Sequence, residues 1–170
     1  MSRELAHPQD EILLDLAASQ LDRPHKLVLE AHLEHCGACR QRVGELAAPG
    51  GWWLEQLPSE APSRELWERL ERRVAAPAPV DPFAAHLPLP AALRTELAGE
   101  RRPRWWSIGL NGGRITVLLE DAVTKSLLCL GEMPGGRRFP RHEHLGFEQV
   151  TVLAGGYADE RGEFFAGDYA

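Results

Sequence analysis

A proline- and alanine-rich stretch, VAAPAPVDP at residues 74–82, divides the 170-residue sequence into two parts. Proline lacks the backbone N–H that a helix interior needs, and closely spaced prolines favour an extended, semi-rigid chain. The spacing of apolar residues also changes here, from a helical period before the stretch to short strand-like runs after it. The sequence therefore predicts two domains, residues 1–75 and 91–170, joined by a linker over residues 76–90.

The first part reads as an all-α domain of four short helices. One follows Asp10, and a second follows Pro24, a residue type favoured near helix starts. A third, CRQRVGELAA, is expected to end at the APGG break that follows it. The fourth, SRELWERLERRV, begins at Ser63, which is a suitable N-cap.

The second part contains short β-rich runs bounded by glycine or aspartate, which predict successive antiparallel strands. These runs are GRITVLLE, SLLCLGE, FEQVTVLAGGY and GEFFAGDYA. Cys129, in the second run, is expected to be a small core residue. The predicted fold class is α+β with two domains, an all-α unit followed by an antiparallel β unit.

Charge and hydropathy exclude several classes of partner. The formal net charge is −6 and the isoelectric point is near 5.6, which argues against direct binding of nucleic acid or of an anionic membrane surface. No run approaches the ~20 apolar residues of a membrane span, and the charged N-terminal sequence does not resemble a signal peptide. We therefore expect a cytoplasmic protein whose C-x-x-C pair serves metal binding or redox chemistry.

The segment AHLEHCGACRQR, residues 31–42, carries three residues that suit a metal. His32, Cys36 and Cys39 stand at i, i+4 and i+7, so their side chains fall on one side of a helix. A closed structural zinc site takes four ligands drawn from thiolates and imidazoles. The spacing therefore predicts a zinc site that needs one further ligand. Oxidation of the two cysteines in a thiol switch remains an alternative.

The fourth zinc ligand is expected to be His7. His25 would lie ~10 Å from His32 along a shared helix, at 1.5 Å per residue. His35 could pair with Cys39, but Cys36 would then lose its natural partner. We therefore assign His25 and His35 to the surface.

A second metal motif lies in GRRFPRHEHLGFEQVTVLAGG. The spacing of Gly136, His142, His144, Glu148 and Gly155 reproduces the first motif of the cupin fold. Alternate residues of a strand point the same way, so the two histidines can present imidazoles to one site. A set of two histidines and one glutamate suits zinc, iron, manganese or nickel, and the spacing alone does not choose among them.

Together these features resemble the ChrR-type zinc-binding anti-sigma factors, in which a helical zinc domain precedes a cupin. His7, His32, Cys36 and Cys39 fall on that family's structural zinc positions, and the histidines and glutamate of the cupin motif fall on its second metal site. The resemblance implies a regulator rather than an enzyme. Its helical domain would sequester an extracytoplasmic-function sigma factor, and its cupin would respond to singlet oxygen or organic peroxides.

The sequence departs from that family at one point, since a second cupin motif with a fourth histidine should follow GEFFAGDYA. We therefore expect a truncated, incompletely closed β-barrel. The alternative function is a small cupin metalloenzyme, such as a dioxygenase, with a helical domain for oligomerisation. This alternative is less favoured because catalysis needs a preorganised pocket, which an incompletely closed barrel is not expected to provide.

The partner surface is expected on the first and fourth helices. Four short helices around a metal cannot bury every apolar face internally, so some apolar residues remain for a partner. The residues predicted to contact the sigma factor are Leu13, Leu16, Leu66, Trp67 and Leu70.

Overall fold

The computed structural model describes residues 6–77, 89–96, 104–109, 112–137 and 146–170. We call residues 6–77 the helical part and the described residues from 104 onward the β part. The elements in these ranges are α1 (Asp10–Ala17), α2 (Arg23–His35), α3 (Gly37–Glu55), α4 (Arg64–Ala75), α5 (Ala91–Glu96), β1 (Trp106–Ile108), β2 (Gly113–Glu120), β3 (Leu127–Glu132), β4 (Gly156–Asp159) and β5 (Gly162–Phe165). The predicted α+β class is confirmed.

Side-chain caps explain where α2 and α4 begin. The Asp22 carboxylate accepts a hydrogen bond from the backbone N–H of His25 at 3.1 Å, and Pro24 occupies the first turn of α2. The Ser63 hydroxyl accepts from the backbone N–H of Leu66, also at 3.1 Å. The predicted cap of the fourth helix is therefore confirmed.

The predicted end of α3 is wrong. We expected a break at APGG, but the helix continues through Pro49 to Glu55, for 19 residues. Pro49 removes one intrahelical hydrogen bond, and the residues that follow resume helical bonding. Among the helices that the structure describes, none combines the length and the apolar character needed to cross a bilayer.

The strands of the β part are antiparallel, as predicted. One sheet has the order β1-β2-β3, with an irregularity in the β2–β3 register between Val117 and Leu119, and β4 pairs with β5 in a hairpin. The run FEQVTVLAGGY does not form the single strand we expected. It contributes a bridge from Thr151 to Tyr169 and the first two residues of β4.

The helical part and the β part share one hydrophobic core. Leu27 of α2 is 3% exposed and packs against Leu128 and Leu130 of β3. Leu89 and Leu93, just before and within α5, join the same cluster. Helix α2 of the first predicted domain therefore packs in a cluster with β3 of the second. The exact domain boundaries stay a prediction.

Hydrogen bonds reinforce this junction. Asp22 accepts from the hydroxyls of Ser126 at 2.6 Å and Thr124 at 2.8 Å, and the Thr151 hydroxyl donates to the carbonyl of Val28 at 2.8 Å. Burial alone would raise the pKa of the Asp22 carboxyl. Hydrogen bonds from Ser126, the His25 amide and Thr124 outweigh burial and hold that pKa well below 3.8.

Cys129 is not the core residue we expected. On β3 the side chains of Leu128 and Leu130 face the core, and successive residues of a strand face opposite sides of the sheet. Cys129 therefore points away from the core and is exposed.

The shared core generates a stability prediction. Leu27→Ala should lower the free energy of unfolding by about 2–5 kcal/mol, because it leaves a cavity between α2 and β3. Leu14→Ala, at a position 48% exposed on α1, should change it by less than about 0.5 kcal/mol. Denaturant midpoints at a fixed metal concentration provide the measurement. Equal effects of the two variants would contradict a shared core.

The lowered pKa of Asp22 generates a pH prediction. A carboxyl whose pKa is lower in the folded state stabilises the fold above its unfolded value, and this stabilisation is lost as pH falls below about 3.8. The difference in free energy of unfolding between wild type and Asp22→Asn should therefore be largest near neutral pH and shrink below pH 4. Asp15→Asn, at an exposed position on α1, is the control. A difference that does not vary with pH would contradict the assignment.

Candidate metal centre

Four residues form a compact group at the junction of α2 and α3. One ligand atom from each of His7, His32, Cys36 and Cys39 lies within 4.8 Å of the others. The Nδ1 atom of His7 is 3.4 Å from the Sγ of Cys36 and 3.3 Å from the Sγ of Cys39. Ligand bonds of about 2.0–2.3 Å in a tetrahedral site place neighbouring donors roughly 3.5 Å apart, so this spacing suits a metal ion.

The helix boundary positions both cysteines. Cys36 ends α2, where its N–H donates to the carbonyl of His32 at 3.0 Å, and it also caps α3. Its Sγ accepts a hydrogen bond from the backbone N–H of Cys39 at 3.4 Å. The two sulfur atoms therefore lie at the N-terminal end of α3, where the helix dipole favours negative charge.

His32 has the hydrogen-bonding pattern of a metal ligand. The residue is fully buried, and its Nδ1 lies 2.8 Å from the carbonyl oxygen of Gly167. A carbonyl oxygen only accepts, so Nδ1 carries the proton and Nε2 carries the lone pair. Within the described residues this buried Nε2 has no hydrogen-bond partner. Metal-binding histidines commonly donate their other ring N–H to a backbone carbonyl in this way.

The protonation states of the group also suit a cation. Burial lowers the pKa of His32, which favours the neutral imidazole that a metal requires. Burial, together with the neighbouring Cys36, raises the pKa of Cys39 to about 12. A bound cation would supply the positive charge that stabilises buried thiolates. The donor set of two sulfurs and two imidazoles therefore fits a divalent metal.

The two other histidines of the helical part lie outside this group. His25 Nδ1 is 2.5 Å from a carboxylate oxygen of Asp22, and the side chain is 26% exposed. His35 is exposed at the end of α2. We expected both at the surface, and His25 is instead half-buried beside Asp22.

The second predicted metal site falls mostly outside the described residues. His142 and His144 lie in the range that the structure does not describe, and Glu148 is exposed. This site stays a prediction.

The predicted partner residues differ in exposure. Leu13 is 2% exposed and packs against Cys36 and Cys39, so it belongs to the core beneath the metal group and we withdraw it as a contact residue. Leu16 is half-buried. The remaining three are accessible at the surface: Leu66 is 37% exposed, Trp67 57% and Leu70 40%.

Part of the exposed apolar surface was not predicted from the sequence. Every residue from 47 to 77, which covers the second half of α3 and all of α4, is exposed, and we call this segment the exposed arm. Besides the α4 residues it presents Trp52, Trp53, Leu54 and Leu57. The adjacent tryptophans after the GG pair were a signal that could have identified it.

Comparisons with known proteins agree with this architecture. Residues 98–170 match the family described as the ChrR cupin-like domain. The chain is 34% identical over 168 residues to the anti-sigma-E factor ChrR of Cereibacter sphaeroides, which covers 95% of this chain and 76% of the relative. It also resembles a chain in the crystal structure of Rhodobacter sphaeroides SigE in complex with the anti-sigma ChrR. That match has a TM-score of 0.68 and 31% identity, and it covers 97% of this chain and 84% of the other.

The fold and the site define a two-part protein in which a helical His/Cys metal group is joined to a cupin-like β region. The extent of the sequence match then establishes the family. This chain belongs to the family of the anti-sigma factor ChrR.

The metal group generates a prediction that uses a matched cysteine. Cys36→Ser should lower the bound metal by one equivalent and abolish cooperative melting of the helical part, since structural zinc in small modules supplies ~10–16 kcal/mol of apparent binding energy. Cys129→Ser changes an exposed cysteine outside the group and should retain wild-type metal content. Elemental analysis and thermal unfolding of both purified variants provide the measurement. Full metal content in Cys36→Ser would contradict the site.

Proposed function

We propose that this chain is an anti-sigma factor that binds an extracytoplasmic-function sigma factor through its exposed arm. The observation that carries the proposal is the exposure of large apolar side chains in two groups of residues 47–77, one at the end of α3 and one on α4. Exposed apolar groups of this kind mark sites of protein interaction.

The apolar face of α4 has the spacing of a helix that docks into a groove. Leu66, Leu70 and Val74 follow one another at intervals of four residues, and Trp67 lies beside the first of them. An isolated helix of 12 residues is marginally stable in water, and packing of its apolar face is the usual source of stability. A partner that covers this face would stabilise the arm as it binds.

The relatives support the same partner. One is named an anti-sigma-E factor, and the similar solved structure is a complex of SigE with the anti-sigma ChrR. We infer that this chain sequesters its sigma factor and thereby blocks access of that factor to RNA polymerase. The function is regulatory rather than enzymatic, and neither relative favours the metalloenzyme alternative.

The metal in the proposed function is zinc with a structural role. Zinc prefers four tetrahedral thiolate and imidazole ligands, which is the donor set of His7, His32, Cys36 and Cys39. When bound, zinc would supply a crosslink between the segment before α1 and the α2–α3 junction. That crosslink would fix the base from which the exposed arm projects.

The β part is proposed to carry the response to oxidants. A second divalent metal at His142, His144 and Glu148 belongs to the same proposal, as does a cytoplasmic location. Reporter assays of the sigma regulon under singlet oxygen or organic peroxide test the response. Induction that persists after replacement of both histidines would contradict a role for the second metal.

Direct binding is tested by co-expression of the full chain with the extracytoplasmic-function sigma factors of the same genome, followed by affinity purification and in vitro transcription. We expect one sigma factor to copurify in stoichiometric amount and to lose transcriptional activity. Copurification without inhibition would contradict the proposed function.

The exposed arm generates a prediction on affinity. Trp67→Ala should weaken sigma binding by at least about 2 kcal/mol, or roughly 30-fold in Kd, because buried aromatic anchors dominate interface energies. Trp67 is 57% exposed, so its removal leaves the fold intact. Trp106→Ala removes a tryptophan that is 45% exposed in β1 and should leave affinity unchanged. Equal affinities of both variants and wild type, measured by calorimetry, would rule out α4 as a contact surface.

A further inference from the structure

Residues 167–169 of the β part have the sequence GDY, and we call them the GDY segment. They contact the metal group but supply none of its four ligand residues. Gly167 contacts His32, 135 residues away in sequence, and Asp168 contacts Ala6, 162 residues away. These contacts join the metal group to a β region that supplies none of its four ligands.

Gly167 orients the His32 ring through its carbonyl oxygen, which accepts the Nδ1 proton at 2.8 Å. That carbonyl is itself held in place. The N–H of Gly167 donates to the carbonyl of Val152 at 2.8 Å. The backbone of Gly167 has a φ of 93°, a conformation that side-chain-bearing residues rarely adopt. A glycine is therefore required where the chain turns to present this oxygen.

Asp168 and Tyr169 hold the backbone next to His7. The Asp168 carboxylate is fully buried, and it accepts from the N–H of Ala6 at 2.8 Å and from the N–H of Phe165 at 2.7 Å. The N–H of Tyr169 donates to the carbonyl of Ala6 at 3.0 Å. Both backbone groups of Ala6 are thus bound by the GDY segment, which restricts where the adjacent His7 can place its imidazole.

The Tyr169 ring packs against the ring of His32. It lies 5.9 Å from the His32 ring, centroid to centroid, in an edge-on arrangement, and the residue is 6% exposed. Its hydroxyl has no hydrogen-bond partner within the described residues. The ring, rather than the hydroxyl, is therefore what Tyr169 contributes to the metal centre.

We propose that the GDY segment is a positioning element of the metal centre, through which the β part controls how tightly the helical part holds its metal. The proposal rests on the zinc site of the proposed function. Gly167 fixes the proton on His32, and Asp168 and Tyr169 fix the approach of His7. On this proposal, a change in the β part that displaces the segment weakens metal binding. Because binding free energies are reciprocal, loss of the metal then loosens the segment to the same extent.

The test compares Asp168→Asn with a matched control in the full chain. The introduced amide retains one acceptor oxygen, so either Ala6 or Phe165 loses its partner. Ser126→Ala is the control because it removes another hydrogen bond between the same two parts, to Asp22, that does not involve the GDY segment or the metal group. Cobalt(II) is the probe, because its thiolate charge-transfer absorption reports only a site with cysteine ligands, which the predicted cupin site lacks.

Two quantities are measured: the affinity for zinc in competition with a chelator, and the cobalt spectrum. We expect Asp168→Asn to bind zinc about 10- to 100-fold more weakly and to shift the cobalt bands, as is typical when the partners of metal ligands are removed. Ser126→Ala should match wild type in both. Equal behaviour of the two variants would overturn the proposal.

A further variant covers the case in which Asp168→Asn does not fold. Tyr169→Leu keeps the backbone hydrogen bond to Ala6 and removes the ring beside His32, whereas Tyr169→Phe removes only the unpartnered hydroxyl. We expect Tyr169→Leu to alter the cobalt spectrum and Tyr169→Phe to retain it. An unchanged spectrum in Tyr169→Leu would overturn the proposal, whereas wild-type protein without a thiolate–cobalt band would contradict the zinc site itself.

Discussion

Helix α2 is buried on two sides, and the rest of the structure depends on that double burial. Its buried residues cover roughly 200° of the helix circumference at about 100° per residue. Leu27 faces the sheet, and His32 faces the metal group. A helix with one apolar stripe serves one core, but this helix contributes to two. Any displacement of α2 relative to the sheet must therefore also move His32, one of the four residues that could hold a metal.

The helical part has little core of its own apart from the metal group. The buried cluster around α1 and α3 consists of Leu13 and the two ligand cysteines, with Leu33, Val43 and Leu46 partly buried around it. Small domains that cannot bury enough apolar surface commonly rely on a metal for stability. The apolar residues that could have enlarged this core lie instead on the exposed arm. The residues that stabilise the helical part are therefore different from those proposed to bind the partner.

The sequence was sufficient to predict the parts of the metal centre that depend on local geometry. His32, Cys36 and Cys39 lie within eight residues, so helix periodicity alone places them together. His7 was predicted as the fourth ligand because His25 and His35 were less suitable. The burial of Leu13 depends on how helices meet, which periodicity does not specify. The continuation of α3 through Pro49 has no such explanation, because every residue from 47 to 77 is exposed. The contacts of Asp22 with Ser126 and of His32 with Gly167 join residues more than 100 apart, and no local pattern indicates such pairs.

The same separation in sequence orders the assembly of the centre. Closing a loop costs more entropy as the loop lengthens, so the contacts between His7 and the two cysteines, 29 and 32 residues apart, form more readily than those to the GDY segment. The contact between Gly167 and His32 closes a separation of 135 residues, and its closure costs correspondingly more entropy. The hydrogen bond that orients the His32 ring therefore depends on both parts of the chain being in place. If the GDY segment positions the metal centre as proposed, the affinity of the site for metal depends on the fold of the whole chain.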